Sequence, residues 1–189
     1  MKKLVLALAV LAVVSGAVSA VDLLQYPPPL AGGGNIMVDV GIGLSHSYGA
    51  SNTKIRVPPL YAVVEYALPV KVPISVGGIF AFSQYRWDGY ITYGDYSWTY
   101  TYVMIAARAN WHWAFDVKWL DFYTGLSLGW NIGNSEYDGP SGYKPSSSPV
   151  SGFTGGPQVG AHFYFTKTVG AVAEFGYPIF AKVGLALKF

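Results

Sequence analysis

The segment LDFYTGLSLGWNI, residues 120–132, decides the fold. Leu120, Phe122, Leu126, Leu128, Trp130 and Ile132 fall on one parity, and Tyr123, Gly125, Ser127, Gly129 and Asn131 on the other. Successive side chains of a strand point to opposite faces, so the segment reads as β-structure with one apolar and one small or polar face. The same period of two recurs over residues 35–45, 60–68, 74–83, 98–112, 158–165, 169–176 and 179–189, which makes eight strands. Longer connections at 46–57, 84–97 and 133–157 alternate with shorter ones at 69–73, 113–119 and 166–168, and a final hairpin turns at Tyr177-Pro178. The prolines are expected in the lead-in, in connections or at strand ends, where a missing N–H breaks no ladder.

Composition narrows what such strands can do. Of 189 residues, 52% are hydrophobic and only 12% charged, against about 25% charged in ordinary soluble domains. No later run supplies the roughly 20 consecutive apolar residues of a membrane helix. The absence of cysteine removes disulfides, thiolate metal sites, a cysteine nucleophile and lipid attachment through cysteine. At the N-terminus, Lys2 and Lys3, an apolar run from Leu4 to Val14 and the small residues Val18-Ser19-Ala20 read as a cleaved signal peptide, residues 1–20. Without it the basic and acidic residues balance at 10 each, from 12 and 10 in the full chain. No electrostatic footprint for nucleic acid remains. Residues 21–34, with Pro27-Pro28-Pro29 and Gly32-Gly33-Gly34, form a non-periodic lead-in, and residues 35–189 a single domain.

In hydrocarbon every backbone polar group must be paired internally, so strands cross a bilayer only as a closed sheet. Eight strands of about ten residues, apolar on one face, have that form: an all-β, eight-stranded antiparallel up-and-down transmembrane barrel. A soluble sandwich or lipocalin with the apolar face inside would carry an almost uncharged exterior and aggregate. Trp111, Trp113, Trp119 and Phe122 are expected at one interfacial girdle, and Trp98, Trp130 and Tyr177 at the other.

Lys182, Gly184, Leu187 and the terminal Phe189, spaced polar-x-Gly-x-x-apolar-x-aromatic, look like the C-terminal signal read by the outer-membrane assembly machinery. The whole pattern resembles the small eight-stranded outer-membrane proteins, the superfamily of the outer membrane protein A barrel and its X-type and W-type relatives. The resemblance implies a periplasmic N-terminus, short periplasmic turns, long surface loops and an outer leaflet of the lipopolysaccharide type around the barrel.

An eight-stranded barrel is only wide enough for side chains to fill. Asp39, Glu65, Arg108, Glu174 and Lys182 face inward, and Asp121 and Lys188 lie near the rim. A network is expected in which Arg108 and Lys182 are neutralised by Glu65, Glu174 and Asp39, either as structural filling or as a gate. His112 and His162 read as satisfied polar filling. A lipid-modifying enzyme would need a histidine with serine and carboxylate near the outer leaflet, and His46, between Ser45 and Ser47, is the one candidate. Adjacent strand residues point apart, so neither serine falls beside that imidazole. No catalytic residue, metal or cofactor is expected. Trp87, Tyr90, Tyr93 and Tyr96 lie in an aromatic run that can stack on an extracellular ligand such as a glycan, or can serve as girdle. The expected role is structural or surface-interacting and non-catalytic. A narrow passive channel for small or apolar solutes stands second, and a lipid-modifying enzyme third.

Overall fold

The computed structural model describes residues 33–46, 53–91, 94–113, 115, 117–140, 142 and 144–189. The expected signal peptide, most of the lead-in, and Tyr93 lie outside the described residues, as does the side chain of His46. The strands are β1 (Ile36–His46), β2 (Lys54–Ala67), β3 (Ile74–Ile91), β4 (Gly94–Trp113), β5 (Leu120–Asp138), β6 (Gly152–Tyr164), β7 (Val169–Gly176) and β8 (Ile179–Lys188). Each pairs antiparallel with the next, and β8 pairs with β1, so the sheet closes into a barrel. The Phe189 N–H donates to the Ile36 carbonyl, and the Ile36 N–H to the Phe189 carbonyl, both at 2.9 Å. The described chain ends share one rim with the turns after β2, β4 and β6, the turn end; the other rim is the loop end.

The strands expected from periodicity are present, but β2 to β6 are longer at the loop end than alternation alone marks. β3, β4 and β5 reach 18, 20 and 19 residues, whereas β7 and β8 have 8 and 10. The barrel wall is therefore tall on the β3–β5 side and low at β7–β8. Most of the expected connection 84–97, and the two ends of 133–157, are strand, because the alternation does not stop there; it inverts. On β3 the outward face runs Val76, Phe80, Phe82 and then Gln84, Arg86, Asp88; on β5 it runs Leu126, Leu128, Trp130, Ile132 and then Asn134, Glu136, Asp138. The inward face changes the opposite way, from Ser83 to Tyr85 and Trp87, and from Asn131 to Tyr137. A strand leaving hydrocarbon for water must turn polar outside.

Two corrections concern proline. Pro58 and Pro59 lie within β2, at the slip between Val57 and Leu60 in its ladder with β3, and opposite them β1 no longer pairs with β2. Pro157 lies within β6 just beyond Gln158, where the ladder with β7 begins. A residue without an N–H fits where a ladder slips or ends.

Candidate functional site

The lumen is filled in layers. Toward the turn end, Asp39, Glu65, Ser75, Asn110, His112, Asp121 and His162 are buried, joined farther along the axis by Arg108, Tyr123, Ser127, Gln158, Glu174 and Lys182. All eight strands contribute. Arg108 places Nε 2.6 Å from Glu65 Oε1 and Nη2 2.7 Å from Glu174 Oε2. Lys182 pairs with Glu174, its direct cross-strand neighbour. Tyr123 donates to Glu174 at 2.7 Å, and Asn110 Nδ2 to Glu65 at 2.8 Å. Gln158 Nε2 donates to Asn110, and Ser127 to Gln158. Asp39 is reached through histidine rather than through Arg108 or Lys182: His162 bridges Asp39 (3.1 Å) and Asp121 (3.3 Å).

Ser75 donates its one proton to Glu65 Oε2 at 2.5 Å, so His112 Nε2, 2.9 Å from Ser75 Oγ, is the donor of that bond. His112 Nδ1 faces Asp121 Oδ1 at 2.8 Å. Each imidazole thus has an acceptor at both nitrogens. Arg108, Lys182 and the two histidines thus lie interleaved with Asp39, Glu65, Asp121 and Glu174, so that each buried carboxylate has a basic side chain beside it.

Ser75, His112 and Asp121 have the connectivity of a hydrolytic triad. Here Ser75 Oγ also donates to Glu65, and all three side chains are buried.

Immediately on the loop-end side of the charges, Tyr61, Val63, Ile79, Ala81, Met104, Ala106 and Ile179 form an apolar layer across the lumen, with Tyr177 packed on it. Tyr177 is therefore not a girdle residue. The tight Tyr177-Pro178 turn, on the low side of the wall, folds its ring inward over Gly156, where a Cβ would come within 2.8 Å. Outside, the surface is apolar: Ile105 and Leu128 at mid-height are more than half exposed. At the turn end Trp111 packs on Trp113, Phe115 on Phe122 and Trp119 on Phe163.

A charged but paired interior, an apolar layer above it and a greasy exterior invert the plan of a soluble barrel. The solved structure of the outer membrane protein OprG from Pseudomonas aeruginosa matches 84% of this chain and 98% of its own, with a TM-score of 0.57 and 11% sequence identity. The fold is that of the small outer-membrane barrels. The N-terminal barrel domain of OprF from the same organism (TM-score 0.47, 14% identity) matches 84% of this chain and 99% of its own. Ail of Yersinia pestis in a phospholipid nanodisc (TM-score 0.46, 16% identity) matches 82% of this chain and 99% of its own. No family model matches the chain, and no curated protein matches it in sequence.

Above the bilayer-facing belt of this outer-membrane fold, β3–β5 carry a two-faced sheet. Its inward face is aromatic. Trp87 lies 5.5 Å from Tyr96, Tyr96 6.1 Å from Tyr137, and Trp98 5.2 Å from Tyr137 between ring centroids. Trp98 is buried here and does not belong to the outer girdle, where Trp130 does face outward. The reason is the inversion of alternation, since Trp98 lies on the lumen parity of β4. Of the expected ligand-stacking residues, Trp87 and Tyr96 share this inward face, whereas Tyr90 points outward and is exposed. The outward face is polar. Lys54 and Arg86 both bind Asp88, at 2.9 and 2.7 Å. Asp88 is held below the usual carboxylate range by the hydrogen bond from Lys54 and then that from Arg86.

Sequence reasoning assigned no role in the network to Ser75, Asn110, Tyr123, Ser127 or Gln158. The signal was available, since all lie on the inward parity of their strands.

Proposed function

We propose that this chain is an integral outer-membrane protein whose barrel is a sealed, non-catalytic scaffold for an extracellular binding surface. The observation that carries this reading is the apolar layer stacked on a paired charge network: water crossing the lumen would have to wet Val63, Ile79 and Met104 and separate Arg108 from two carboxylates. The loop end is extracellular, the turn end periplasmic, and the belt contacts lipid, with a lipopolysaccharide-type leaflet at the loop end. Lys182, Gly184, Leu187 and Phe189, on or at the end of the strand that closes the barrel, serve as the assembly signal. Catalysis by His46 is not part of this reading, and neither metal nor cofactor is required.

The test is single-channel recording on the refolded protein in planar bilayers. Wild type and Arg108→Ala are both expected to be silent, because the apolar layer stays in place when the charge below it is removed. Steady conductance that changes with the substitution would establish a gated conduit instead. In parallel, deletion of residues 87–96 is expected to abolish extracellular ligand binding and leave the barrel folded.

A second reading has one specific support: residues 152–156 of β6 pair only with β5, leaving a break in the wall above the end of β7. An apolar solute entering the mouth could leave sideways into lipid there. Uptake of a fluorescent apolar probe into proteoliposomes lacking ionic conductance would favour it.

A further inference from the structure

We propose that residues 144–151 form a strap, hinged at Gly142 and Gly152, that covers a binding site for a neutral sugar in the loop-end mouth. This rests on the surface-binding reading above and names both its site and its ligand class.

The strap, KPSSSPVS, adds no strand to the sheet. Pro145 and Pro149 keep it extended by limiting φ. It is held by a small set of contacts with β4 and β5. Ser147 donates to Ser135 at 2.6 Å, Asn131 Nδ2 donates to the Val150 carbonyl at 2.6 Å, and the Gly133 N–H donates to Ser151 at 2.9 Å. Lys144 Nζ lies 5.8 Å from the centre of the Trp98 ring, and Tyr102 is hydrogen-bonded to the Val150 backbone. Gly142 and Gly152, at φ of 95° and 143°, bracket it in backbone conformations that L side chains rarely adopt. Such positions can absorb the rotation needed to swing a short segment.

What lies in the mouth argues for a ligand. Tyr85, Trp98 and Tyr102 are buried there, with Tyr85 and Tyr102 edge to face at 6.2 Å. Ser83 Oγ and Asn131 Oδ1, both buried, make no hydrogen bond. A buried amide or hydroxyl oxygen without a partner is costly, and a ligand hydroxyl would satisfy it. Among the described inward residues of the mouth above the apolar layer none is charged; Lys144 belongs to the strap and departs with it. Aromatic rings for the C–H face of a pyranose, beside amide and hydroxyl groups for its oxygens, are the chemistry of neutral carbohydrate recognition.

Because the chain has no cysteine, Ser135→Cys/Ser147→Cys introduces one clean pair, at hydroxyls already close enough for a disulfide. The full-length protein is refolded into phospholipid nanodiscs and titrated with maltohexaose by tryptophan fluorescence, oxidised and reduced. The reduced pair and wild type are expected to bind, and the oxidised, strapped form to bind about tenfold more weakly or not at all. Trp98→Ala is expected to lose binding in the reduced form. Hydrogen exchange at residues 146–148 is expected to be fast beside that of the β4–β5 ladder. Equal binding by oxidised and reduced protein would overturn the strap and leave the surface-binding reading standing. Absence of binding in both forms, with rapid exchange in the strap, would overturn the sugar site itself.

Discussion

Gly77 sits between Glu65 and Arg108 in one cross-strand row, and a Cβ there would come within 2.8 Å of Glu65 Cγ and 2.0 Å of the Val64 carbonyl. Only the bare backbone lets the carboxylate reach the guanidinium. Removing Arg108 leaves Glu65 without its cation and Glu174 with Lys182 alone, and losing one partner of a buried pair costs roughly 3–5 kcal/mol. Arg108→Ala is accordingly expected to lower the urea-unfolding free energy by about that amount. Ser75 supplies a sharper check on the proposed non-catalytic role. With its proton on Glu65 and its side chain buried, it is expected to resist a fluorophosphonate probe; labelling that disappears in Ser75→Ala would reinstate the buried triad as chemistry.

At the scale of elements, the reversal of hydrophobic parity along β3, β4 and β5 marks where the bilayer ends. Leu128 lies opposite Ala107 in the belt. Leu128→Arg is expected to cost about 2–4 kcal/mol in reversible unfolding from lipid vesicles, the range for a cation near the bilayer midplane. Glu136→Arg, four residue pairs beyond the belt on the same face, is expected to change stability little in the same assay. The hairpin of β3 and β4 is also braced by Lys54, Arg86 and Asp88. A carboxyl with a depressed folded value stabilises above its unfolded value and loses that contribution as pH falls through the folded one. The hairpin brace is therefore expected to persist at neutral pH and release below about pH 4, near the ordinary aspartate value. Amide exchange of residues 86–98 against pH reads this directly, and Asp88→Asn should remove the acid transition.

The whole molecule is a closed barrel with a low wall at β7–β8 and a tall one at β3–β5. The embedded part has an interior of paired charge under an apolar layer; the projecting part reverses its faces and turns aromatic side chains toward the axis. On the proposed reading, sealing and recognition occupy successive heights of the same strands. The silent bilayer recording proposed above belongs to this scale, because conductance requires both lower layers to open together.

Much of this was legible in residue order. Period-two alternation in residues 120–132 and its repeats determined the strands, their number and which face meets lipid, because parity is a local property of extended backbone. The inward position of Asp39, Glu65, Arg108, Glu174 and Lys182 followed from the same parity. Only the tertiary structure decided which of them touch. Shear sets the height of one strand against another, so His162 rather than a lysine or arginine meets Asp39, and Ser75 bridges His112 to Glu65 across three strands. It likewise decided that Trp98 and Tyr177 turn inward, since a residue's parity gives its face but not its height, and its height decides whether that face meets lipid, lumen or water.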